Sequence, residues 1–177
     1  MNHELVMHAY GRVRRIDFSP IRMKLALNES GTSWNKESIE EAELMYIAYL
    51  SIVIAYKDTE IDLAPPSIAD DFWHQHILDT RKYFADCQEL FGGYLHHYPY
   101  FGLLGPDDAK ALVAAGQKMK ELVAMHFADL QLFKSAVARF TSDGSRSCQG
   151  SCSSCKGCRS CKDIFVRVSN PSSVELQ

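Results

Sequence analysis

Residues 106–140, PDDAKALVAAGQKMKELVAMHFADLQLFKSAVARF, decide the fold class. Leu112, Gly116, Met119, Val123, His126, Leu130, Phe133, Val137 and Phe140 recur at alternating steps of four and three. That spacing puts side chains on one face of an α-helix. Sustained through Phe140, it predicts one long helix with a packing seam against other helices. Pro106-Asp107-Asp108 opens it well, because proline fits the first turn and acids complement the positive helix end. From Thr141 the composition shifts to Ser, Gly and Cys, where no core can form.

Upstream, three further helices are expected. Ser19-Pro20 reads as a cap with proline at the first helical position, followed by a short helix over Pro20–Asn28. Ser38-x-x-Glu41 resembles a capping box and precedes a helix to about Tyr56. Its second half is apolar nearly all round, so it should lie at the centre. Ser67-x-x-Asp70 starts another helix, running to about Leu90 and broken by Gly92-Gly93. Ile164–Val168 is the one candidate strand. The expectation is an all-α bundle of four or five helices over residues 1–141, with an irregular cysteine-rich C-terminal tail over residues 142–177.

The 177 residues suit one domain plus a tail, and 46% apolar residues suffice for a core. The net charge of −3 gives no electrostatic reason to expect a nucleic acid or an anionic membrane as partner. The apolar run Leu44–Tyr56 is shorter than the ~18 residues a spanning helix needs. The first residues, MNHELVMHAYGRVRR, lack the apolar segment of a secretory signal. A cytoplasmic protein is expected, with a metal ion as partner and any protein partner unspecified.

The metal expectation comes from residues 71–102, DFWHQHILDTRKYFADCQELFGGYLHHYPYFG, which hold His74, His76, His96 and His97. On a continuous helix, Phe72, His76, Asp79, Tyr83, Cys87 and Leu90 share one buried arc. His76 and Asp79 can therefore act together. His74 falls on the opposite, polar side; a pair two residues apart on a regular helix cannot bind one ion, so His74 is a candidate ligand where the helix begins irregularly and otherwise serves another purpose. Beyond Gly92-Gly93, His97 (or His96) can fold back against His76 and Asp79. His126, on the seam of the long helix, can add a ligand from a third element. Two or three histidines with a carboxylate is the donor set of zinc and non-haem iron sites. The structural alternative makes His76 and Asp79 a hydrogen-bonded core pair, and His126 a satisfied core residue.

The segment PPSIADDFWHQHILDTRKYFADCQELFGGYLHHYPYFG resembles the bacterial branch of the glycine-rich domain-containing protein-like family. The likeness rests on W-H-x-H-I-L-D-T and H-H-x-P-x-F-G, with Ile16-Asp17-Phe18 to Trp34 similar to the family's first helical region. The resemblance implies a helical domain with His74, His76, Asp79 and His97 in its motif. It implies no particular reaction.

The tail carries Cys148, Cys152, Cys155, Cys158 and Cys161. A zinc ribbon needs a long insert between two knuckles, which is absent. The ferredoxin order of gaps and its closing proline are absent too. Dense thiolates on Ser/Gly/Lys spacers suit Cu(I) or zinc, with Lys156, Arg159 and Lys162 favouring the thiolate. The bland alternative is a tail without a metal. Three functional readings follow: a metal-binding protein with a core zinc or iron site and a soft-metal tail, a metalloenzyme using the core site, or a non-catalytic interaction module.

Overall fold

The computed structural model describes residues 2–27 and 34–142. Among these the chain forms seven helices and no strand: α1 (Asn2–Val13), α2 (Ser19–Ala26), α3 (Lys36–Tyr56), α4 (Ser67–Leu78), α5 (Thr80–Phe91), α6 (Pro106–Phe127) and α7 (Lys134–Ser142). The all-α class holds, but the helices outnumber the expected four or five. The candidate strand at 164–168 and the five tail cysteines lie outside the described residues.

Helix α3 is the hub, packed by α1, α2, α4, α6 and α7. Its apolar second half explains this, since Met45 through Val53 are all buried. The capping box lies one turn earlier than Ser38-x-x-Glu41. Asn35 Oδ1 accepts the Ser38 N–H at 2.8 Å, and Ser38 Oγ accepts the Asn35 N–H at 3.0 Å. Two of the orphan donors at this helix start are thereby satisfied.

Three departures from the expected helices have local causes. Helix α1 buries Val6, Ala9 and Val13, a stripe diluted by polar neighbours in the sequence. Its Arg12 guanidinium donates to the carbonyls of Glu89 and Leu90, a cation on the negative end of α5. The expected Ser67–Leu90 helix divides at Asp79, whose backbone is non-helical (φ −84°, ψ 74°) and whose Oδ1 accepts the Lys82 N–H at 3.3 Å. Aspartate favours this N-cap role, and the cap starts α5 on a new axis. The long seam helix divides after Phe127. Leu130 N–H bonds Phe127 C=O at 3.1 Å, and Phe133 N–H bonds Leu130 C=O at 2.8 Å. These three-residue turns preserve the seam's spacing, so periodicity could not reveal the break.

The stretch between α5 and α6 carries His97. Gly92 closes α5 in the left-handed conformation (φ 70°). At the far end Asp108 accepts the N–H groups of Gly102 and of Leu104, the latter at 3.0 Å. Gly102 has φ 89°, and a Cβ there would lie 2.4 Å from Leu112 Cδ2. Only glycine lets this turn sit against α6.

Candidate metal centre

Asp70 and His74 stand four residues apart on α4, hence one above the other on the same face. His97 returns to that face from the segment after α5. His74 Nε2 and His97 Nε2 are 2.8 Å apart. His97 Nε2 lies 3.3 Å from Asp70 Oδ1, and His74 Nε2 lies 3.6 Å from Asp70 Oδ2. Among the described residues this is the group of three whose donor atoms all fall within 4.8 Å of one another.

The two separations to Asp70 suit one ion, whereas the 2.8 Å between the imidazole nitrogens is a hydrogen-bond distance that would open on ion binding. Donors at about 2.0–2.1 Å around a tetrahedral zinc are separated by roughly 3.3 Å. The two imidazoles also meet at an angle, with centroids 4.6 Å apart and planes 44° apart. The site is half open, since the side chains of Asp70 and His97 are 10% and 12% exposed and that of His74 is 44% exposed. Two histidines and one carboxylate with an open side is the donor set of zinc and non-haem iron(II) centres that keep exchangeable positions.

The wall behind the site is aromatic. The Trp73 ring, fully buried, lies 4.9 Å from His97 and 5.3 Å from Tyr49. The Tyr49 hydroxyl is buried without a hydrogen-bond partner. Burial first, then the Asp70 charge, holds this phenol well above its usual acidity range, so it keeps its proton. A buried unsatisfied donor is expensive. Asp71, next along α4, has its carboxyl pushed up by burial and then by Asp70, with His74 pulling it back.

The other expected ligands sit elsewhere. His76 does not join His97, and Asp79 serves as the cap of α5. Both ring nitrogens of His76 are committed: Nδ1 to Tyr46 Oη at 3.0 Å, and Nε2 to Asp86 Oδ2 at 2.9 Å. Burial pushes His76 down to about 4, against a smaller opposing pull from Asp86. Burial likewise keeps the Tyr46 phenol protonated. The network therefore assigns a neutral imidazole that accepts from Tyr46 and donates Nε2–H to Asp86. Lys82 Nζ, 2.8 Å from Asp86, balances the carboxylate. This is a satisfied core pair, with Asp86 in the place expected of Asp79.

His126 contributes to a separate cluster. Its Nε2 lies 3.3 Å from Tyr56 Oη and its Nδ1 lies 3.1 Å from His3 Nδ1. His3, His126 and Tyr56 border a cavity of about 540 Å³. His96 turns to the Tyr94 ring at 4.9 Å, leaving His97 as the member of the pair that faces Asp70. Cys87 is buried, and burial pushes its thiol up, so it stays neutral.

Asp70 is the residue that sequence reasoning missed. Its signal was available: Asp70 and His74 have the four-residue spacing required of helical ligand pairs. Asp86 also carried a signal, three residues after Tyr83 on the buried stripe of α5.

Residues 11–114 match the UCP032817-like family. The chain belongs to this family. The match overturns the resemblance to the glycine-rich domain-containing protein-like family. Neither a curated protein nor a solved structure matches the chain. Asp70, His74 and His97 fall inside the matched segment, whereas His3, His126 and the tail cysteines fall outside it. Among the described residues, no helix is long and apolar enough to cross a membrane.

Proposed function

We propose that this protein binds a divalent transition metal, zinc or iron(II), through Asp70 Oδ, His74 Nε2 and His97 Nε2. The observation that carries the reading is the convergence of three donor atoms within 4.8 Å from a helix and a separate loop. On this reading residues 142–177 form a separate appendage, where Cys148, Cys152, Cys155, Cys158 and Cys161 hold Cu(I) or zinc. The cysteine spacing supports that part.

The exposure of His74 favours a second reading built on the same centre. Three protein ligands with a solvent-facing side leave positions for water or substrate, the arrangement of catalytic rather than structural metal sites. The protein would then be a metalloenzyme that activates water or oxygen there.

The test is elemental analysis of full-length protein, purified anaerobically, with its five tail cysteines replaced by serine. One zinc or iron per chain is expected, lost on Asp70→Asn or His97→Ala. No ion in the parent protein would favour an interaction module whose histidines are structural.

A further inference from the structure

The centre draws its ligands from two elements, and one hydroxyl ties those elements together. Tyr83, on α5, is buried, with 1% of its surface exposed. Trp73 Nε1 lies 2.9 Å from Tyr83 Oη, and Tyr83 Oη lies 2.5 Å from the Leu95 carbonyl oxygen. An indole N–H only donates and a carbonyl only accepts, so the direction is forced. Trp73 donates to Tyr83, and Tyr83 gives its single proton to Leu95. Burial keeps that proton in place.

Each end of this bridge abuts a ligand. Trp73 precedes His74 on α4, and its ring packs against His97. Leu95 lies two residues before His97, with its side chain also buried. The Tyr94 ring closes edge-on over Tyr83 at 5.1 Å. We propose that Tyr83 is the positioning residue of the Asp70/His74/His97 centre, latching the His97 loop onto α4, and that ion binding and loop closure stabilise each other. The proposal rests on the metal reading above. An open loop leaves only Asp70 and His74, a two-ligand site. By linkage, an ion that needs the closed loop must in turn hold it closed.

Tyr46 provides the control. It too is a fully buried phenol on the same core, and its hydroxyl bonds His76 instead of the loop. In full-length protein with its tail cysteines replaced by serine, zinc affinity is measured by competition with a chromophoric chelator. Tyr83→Phe should weaken binding about 10–100-fold, the range for lost outer-shell support. Tyr46→Phe should lower the melting temperature yet leave affinity within about threefold, less than outer-shell loss gives. Equal losses in both variants, or none in Tyr83→Phe, would overturn the latch. Hydrogen exchange on the unsubstituted latch gives a reading even if Tyr83→Phe does not fold. Zinc should slow exchange at the amides of Leu95, His96 and His97, and unchanged exchange with zinc bound would also overturn it. Failure of the parent protein to take up zinc would instead overturn the metal reading beneath it.

Discussion

Acid should destabilise this protein through His76, which is 1% exposed. The folded state holds His76 at about 4, against 6.5 for an unburied imidazole. Above pH 6.5 both states carry a neutral ring, and the stability is fully present. Below 6.5 the unfolded chain takes up a proton that the folded protein refuses, so stability falls. The loss continues until pH reaches about 4, where the folded ring also protonates. Over that window the penalty is about 3 kcal/mol. That is a large fraction of the ~5–15 kcal/mol that keeps a domain folded. His126 is also pulled down by burial, so it adds in the same direction. A comparison with His76→Gln isolates the His76 share, because an amide can still meet Tyr46 and Asp86 and does not titrate. Urea unfolding at several pH values between 7 and 4 should give the native protein the steeper decline. Parallel declines would refute the assignment of a neutral, locked His76.

Other outcomes follow from the fold. Asn35→Ala removes the cap of α3 and should cost about 1 kcal/mol in urea unfolding. Gly102→Ala forces a Cβ into Leu112 at φ 89° and should cost about 1–3 kcal/mol, read from the same experiment. Phe133→Ala empties a buried site packed against Phe127 at 4.9 Å. It should cost about 3–5 kcal/mol, visible as a lower melting temperature. Ending the chain near Ser142 should leave helical circular dichroism and a cooperative melt intact. Loss of cooperativity would make the tail part of the domain.

Much of the fold was legible because helical periodicity reports burial. Met119, Val123, Leu130, Phe133 and Val137, which the seam assigned to the core, do pack there, as does the second half of α3. What periodicity cannot report is whether a helix is continuous. At Asp79 the wheel for Ser67–Leu90 carried its phase across a break, which paired His76 with Asp79 when its partner was Asp86. The local signal was Asp79 itself, an aspartate able to cap a new helix. The Asp70–His74 pair was hidden differently. Both residues fall on the polar side of α4, and a polar face reads as solvated until the His97 loop is seen to cover it. That covering depends on Gly92 and on the Tyr83 bridge, contacts distant in sequence that no local pattern encodes.

On the proposed reading Asp70, His74 and His97 hold one ion while His76 and His126 do not. Histidine ring ¹⁵N resonances, followed as zinc is added anaerobically to protein with serine in place of its tail cysteines, report on every imidazole at once. One equivalent should shift Nε2 of His74 and His97 together and leave both nitrogens of His76 and of His126 unchanged, with Asp70→Asn weakening the response. Zinc shifts at His76, or at His126 without His74 and His97, would contradict it.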